Sequence, residues 1–250
     1  KPPEIKMVVK TMDTCRGGAS GKEGLAGDAN AENAANIVTT MGVKDMSAID
    51  LQKYLAGKTV SVQPYINPDD EGMQGTSSVK DFETFLQLVH LYFTSPRKDE
   101  QLFMSYINTQ KGFLKNMKSN QNSYFADTVA RMEFNNSPWT PLIPDAADFD
   151  KISLDRSLDI YKEIYGNAYG WHFTFVGNVD ITKMKPLMEL YLGSLPTKEK
   201  ENKFTDVGLR PVKGVVQAVV YKGAAKQSMV KIIFTGDAKY SQDENLKLSA

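Results

Sequence analysis

Two short β-type runs, Thr59-Val60-Ser61-Val62-Gln63 and Met73–Thr76, stand on either side of Pro68-Asp69-Asp70. A turn of that composition, so close to both runs, brings them back side by side, and the sheet they enter is antiparallel there. The first run alternates as a half-exposed strand does. Ile5–Val9 is a third run, leading into a loop at Gly17-Gly18, and Trp171–Val176 is a fourth, closed by Gly177-Asn178.

Between these runs the apolar spacing is helical. Ala29–Met41 is rich in alanine, free of proline and stopped by Gly42, a suitable C-cap. Ser47 and Asp50 make a capping box ahead of Leu51, Tyr54 and Leu55, and that helix gives way near Gly57. Three more helices are expected to open at Ser78, at Asp99 and near Asn122. The first shows Phe82, Phe85, Leu86, Val89 and Phe93 on one stripe. After a Pro-rich loop, Ser137–Pro144, come Leu154, Leu158, Tyr161 and Ile164. Asp180 then caps a helix bearing Met184, Leu187, Met188 and Tyr191. The expected class is α+β, a mostly antiparallel sheet with helices packed on one face.

Lys198–Lys213 is charged and poor in large apolar residues, so the unit is expected to span residues 1–197, with a linker at 198–214. Beyond it, Val215–Tyr221 and Met229–Phe234 read as strands, and Asp243–Ala250 as the opening of a helix. This order echoes the stretch from Ile5 to Ala29, so residues 215–250 are expected to be the first elements of a second, homologous repeat. The start at Lys1-Pro2-Pro3-Glu4 lacks the features of a signal peptide, and the whole reads as a piece of a longer protein.

Thirty Lys and Arg balance thirty Asp and Glu, so no overall field draws the molecule to nucleic acid or an anionic bilayer. No apolar run approaches the ~20 residues of a membrane-spanning helix. The lone Cys15 excludes an internal disulfide and leaves the compartment open.

The chain has two histidines, His90 and His172, far apart in sequence. His90 shares a helical face with Glu83, Thr84, Gln87 and Thr94 and is expected in solvent; His172 alternates with Trp171 and Phe173 and is expected on the less buried face of its strand. Gly17-Gly18-Ala19-Ser20-Gly21-Lys22 falls short of a phosphate-binding loop. Arg16 stands where the first glycine is needed, and Glu23 where Ser or Thr would hold the metal. The pairs Asp69 and Asp70, Asp148 and Asp150, and Asp155 and Asp159 fit caps and solvated faces.

Four phrases in order carry a family resemblance: Gly17-Gly18-Ala19-Ser20 before the Ala-rich helix, Leu91-Tyr92-Phe93-Thr94-Ser95-Pro96-Arg97, Phe175-Val176-Gly177-Asn178-Val179-Asp180, and Tyr191-Leu192-Gly193-Ser194-Leu195-Pro196-Thr197. From Ile5 to Thr197 the chain resembles the pitrilysin/insulinase-type zinc peptidases, with Tyr221–Ala250 similar to the start of a following repeat. The resemblance implies the metallohydrolase fold of the mitochondrial processing peptidases. Active units of that family place an inverted H-x-x-E-H motif on their first helix, two histidines binding zinc while the glutamate activates water. Counted back from Gly42, those positions here are Asn33, Asn36 and Ile37, which can do neither. The later helical stretch where the family keeps its third ligand, Gln101–Ala126, holds no Asp or Glu.

The resemblance therefore implies a repeat without catalytic residues or metal of its own. It would help enclose peptide or unfolded protein beside other repeats of the same chain, one of them holding zinc. Long members of the family are similar to proteins exported to the bacterial envelope, so the periplasm is the favoured compartment. The alternative is a peptide-binding or scaffold protein in which every repeat has lost the motif.

Overall fold

The computed structural model describes residues 4–11, 29–67, 70–137, 140, 142–199, 208–223, 228–236 and 241–249. Within them the expected hairpin is present, joining β2 (Val60–Ile66) to β3 (Glu71–Ser78). Pro68 and Asp69 lie outside the described residues, as do Cys15 and the glycines of 17–22. Asn67 N–H donates to the Asp70 carbonyl at 2.8 Å and Asn67 Nδ2 to Asp70 Oδ1 at 2.7 Å, drawing the two strands together.

β1 (Glu4–Thr11) pairs antiparallel with β3 on one side and with β4 (Trp171–Gly177) on the other, giving the order β2-β3-β1-β4. Register sorts the two faces. Val62, Gly75, Met7 and Phe175 form one row toward the core, and Gln63, Gln74, Val8 and Thr174 form the next row on the opposite, open face. Ile5, Met7 and Val9 are at most 1% exposed, whereas Val8 is 43% exposed. β3 runs longer than the four residues its composition suggests, because it is bonded along both edges. A Cβ at Gly75 would press into the Ser61 carbonyl and into the Phe85 ring 2.6 Å away, so glycine there lets that ring lie against the sheet.

Eight helices are found among the described residues: α1 Ala29–Met41, α2 Ala48–Tyr54, α3 Phe82–Thr94, α4 Glu100–Ser119, α5 Gln121–Glu133, α6 Leu154–Tyr165, α7 Ile181–Tyr191 and α8 Gln242–Ser249. The caps fall where side-chain chemistry places them. Gly42 turns the chain at φ +91° after α1, Ser47 Oγ accepts from Asp50 N, Asp99 Oδ1 accepts from Leu102 N, and Asp180 Oδ1 accepts from Thr182 N. α3 begins four residues later than Ser78. Asp81 is engaged elsewhere, taking Thr59 N–H at 2.9 Å and Ser78 Oγ at 2.6 Å, and a 3₁₀ turn over Val79–Asp81 precedes the helix.

Phe82, Phe85, Leu86, Val89 and Phe93 are all buried, as their spacing predicts, and each contributes ~1.5–3 kcal/mol on burial. Behind them lies an aromatic cluster in which Tyr161 and Tyr165 stack at 4.4 Å and Phe93 meets Trp171 edge-on at 5.1 Å. Burial raises both phenols well above their usual pKa, so they serve as hydrogen-bond donors. Tyr161 Oη donates to the Tyr92 carbonyl at 3.0 Å. Tyr165 Oη accepts from Tyr65 N–H at 3.2 Å and lies 2.9 Å from the Tyr65 carbonyl, pinning α6 to the hairpin.

Val215–Tyr221 and Met229–Phe234, expected as strands, are not strands. Both segments run without ladder bonds, and their side chains are bare: Val219 is 76% exposed, Val230 81% and Phe234 94%. A strand is made by its neighbour's backbone, and these runs lack one among the described residues. The charged stretch before them is tied to the first unit at two points. Asn167 grips Lys198 through both backbone groups at 2.8 Å, and Val212 N–H reaches the Glu133 carbonyl at 2.8 Å.

Candidate functional site

The three positions of α1 that the sequence resemblance sets against a zinc motif have separate surroundings. Ile37 is 0% exposed within the core. Asn36 points outward. Asn33 is buried and both ends of its amide are engaged: Oδ1 accepts from Tyr106 Oη of α4 at 2.7 Å, and Nδ2 donates to the Ala29 carbonyl at 2.8 Å. Burial pushes the Tyr106 phenol up to about 12, so it remains a donor throughout the physiological range.

α4, where the resemblance would seek a distal metal ligand, reaches α1 through this bond and presents a phenol there rather than a carboxylate. The nearest acidic side chain after that stretch, Asp127, is taken by Ile143 N–H at 2.7 Å and Arg131 Nε at 3.0 Å. Among the described residues no group of three or more His, Cys, Asp or Glu is placed to hold a metal ion. Hard or borderline cations need anionic or imidazole donors. A buried amide, a phenol and an isoleucine do not fit zinc, and no chemistry through a metal follows from them.

The histidines lie on opposite sides of the sheet. His172 is exposed on the open face, as its alternation predicts, paired in register with Lys10. His90 is not in solvent. Its Nδ1 lies 2.8 Å from the Tyr191 carbonyl at the end of α7, and the two rings meet edge to face at 6.5 Å. Gln87 Nε2 donates to Tyr191 Oη at 2.9 Å, and that hydroxyl donates to Glu83 Oε1 at 2.9 Å. The polar stripe of α3 is the seat of another helix, which periodicity cannot distinguish from a face that meets water.

Of the paired aspartates, Asp69 lies outside the described residues, and Asp148, Asp150 and Asp155 each meet a lysine rather than standing only in solvent. Lys98 with Asp155 at 2.5 Å, Lys111 with Asp150 at 2.6 Å, and Lys118 with Asp145 fasten the 145–155 segment along α4. No described helix is long and apolar enough to cross a membrane.

The architecture is an antiparallel sheet under one helical layer, with α1 packed into the core. Comparison with known proteins finds peptidase relatives. A family profile described as the peptidase M16 inactive domain matches residues 151–250. The probable zinc protease PqqL of Haemophilus influenzae is 22% identical over 173 residues, covering 68% of this chain and 18% of that protein. The periplasmic protease PqqL from Escherichia coli has the same fold with a TM-score of 0.65 at 17% identity, over 83% of this chain and 22% of that one. An M16 inactive domain from Pseudomonas fluorescens gives 0.62 at 14% identity, over 82% and 48%.

Over residues 151–250 the chain is similar to the inactive domain of the M16 (pitrilysin/insulinase-type) peptidases. It spans under a quarter of the length of the PqqL proteins it resembles.

Proposed function

We propose that this chain is a substrate-enclosing unit of a longer zinc endopeptidase acting on peptides or unfolded protein, with the zinc held by another repeat of that protein. The observation that supports the reading is the Asn33–Tyr106 bond between α1 and α4, which commits to packing a position that the resemblance sets against the zinc motif. Residues 215–250 are then the opening elements of the next repeat, whose exposed apolar side chains are covered when the rest of that repeat is present. The periplasm is the compartment this reading favours, by likeness to the Escherichia coli protein.

The test is hydrolysis of a quenched unfolded peptide by the zinc-bearing repeats of the same protein, with and without this chain added in trans. A several-fold rise that a chelator abolishes is the expected result, with the chain alone inert and taking up no stoichiometric zinc in calorimetric titration. Cleavage by this chain alone would overturn the proposal. If no combination cleaves while the parts still bind the peptide, the protein is a scaffold.

A further inference from the structure

α7 is held to the unit in a different way from α1 and α3. Among its described residues Met184 is the one fully buried, whereas α1 buries six apolar side chains and α3 seven. Pro186 lies inside it and has no N–H to return to the preceding turn, so the helix lacks one of its own bonds. Leu187 and Met188 are only partly buried against the core, and the rest of the attachment is polar. Glu83, Gln87 and His90, at i, i+4 and i+7 on α3, converge on one residue, Tyr191: two hold the hydroxyl and the third meets the carbonyl.

Just past α7, Leu195 is buried at 4% exposure, Ala168 N–H donates to the Pro196 carbonyl at 2.8 Å, and Asn167 grips Lys198. The stretch from Ile181 to Lys198 is thus fastened at two separate places with little apolar burial in between.

We infer that α7 is a strap that opens as a unit before α1, α3 and the sheet, with the clasp of Glu83, Gln87 and His90 on Tyr191 as its catch. Elements with few buried apolar contacts open at a fraction of the global free energy, and hydrogen bonds set the cost when burial does not. Tyr191 is a positioning residue here. With the clasp released and Asn167 still holding Lys198, the helix swings while the path of the chain beyond Lys198 is kept.

The experiment is amide hydrogen exchange on this 250-residue chain, followed by mass spectrometry, for the native sequence, Tyr191→Phe, His90→Ala and Asn167→Ala. Native α7 amides should exchange faster than those of α1. Tyr191→Phe, which keeps the ring and removes the two hydroxyl bonds, should speed exchange in α7 roughly five- to tenfold while β1 and α1 stay unchanged. His90→Ala should do the same. Asn167→Ala should loosen residues 196–198 and leave α7 as it was. Equal protection of α7 and α1 in the native chain would overturn the inference, as would a rise spread evenly over β1, α1 and α7 in Tyr191→Phe.

Discussion

β1 and the Met229–Phe234 segment are near twins in composition, Ile-Lys-Met-Val-Val against Met-Val-Lys-Ile-Ile-Phe, yet they end at opposite extremes. Ile5, Met7 and Val9 are sealed, bonded to β3 on one edge and β4 on the other; Val230, Ile232 and Phe234 are bare and have no ladder. The difference lies outside both sequences. β1 has two neighbours whose registers match its own alternation, and a helical layer to receive its inner face. β-propensity reports fitness for a half-buried pleated surface and cannot supply that surface.

The contrast can be broken most directly by truncating matched residues. Met7→Ala should cost about 2–5 kcal/mol in urea unfolding, whereas Ile232→Ala should stay within about 0.5 kcal/mol. Comparable losses at the two sites would mean that the second segment is packed in solution. Next in size is Tyr165→Phe, which strips the hydroxyl from the hairpin backbone and should cost about 1–3 kcal/mol, with faster exchange at the Tyr65 amide as its local signature.

Tyr106→Phe should cost about 1–2 kcal/mol by leaving Asn33 Oδ1 unpaired, and neither zinc nor a chelator should move the melting temperature of the native chain. A zinc-dependent rise in melting temperature would contradict the packing role of that helix.

Asp81, at the foot of β2, sharpens the comparison through pH. The Ser78 hydroxyl, then the Thr59 N–H, hold its carboxyl below the usual carboxylate value. A depressed folded pKa stabilises the fold above the unfolded value of ~3.9, and this contribution fades as pH falls through the folded value. Asp81→Asn should therefore flatten the acid side of a urea-midpoint profile, while the neutral side shifts uniformly. The smallest effect is expected at Ser157, whose buried Oγ has no hydrogen-bond partner among the described residues where α6 meets α1. Ser157→Ala should be neutral or stabilise by a few tenths of a kcal/mol.

What could be read in the sequence was local. The stripe from Phe82 to Phe93, the caps at Ser47, Asp99 and Asp180, and the stop at Gly42 each rest on residues within a few positions of one another. So does the expectation that Asn33, Asn36 and Ile37 bind no metal, since the three lie within two turns. The Asn33–Tyr106 bond was not legible, because Tyr106 is 73 residues from Asn33 and nothing in either neighbourhood marks them as partners. His90 failed for the same reason: Tyr191 is 101 residues away. The strands expected at 215 and 229 show the converse, a correct local pattern whose partners are absent among the described residues.

The place of β1 in the middle of the sheet carries a consequence in time. It is the first of the four strands to be synthesised, and its two partners follow at Glu71–Ser78 and Trp171–Gly177. At ~5–20 residues per second, one edge of β1 can close once β3 has emerged, but the other waits roughly another 5–20 s for β4. Through that interval an apolar central strand presents an open edge. The nascent protein is therefore most prone to wrong pairing while the helical layer from α3 to α6 is being made, and the arrival of Trp171 ends that exposure.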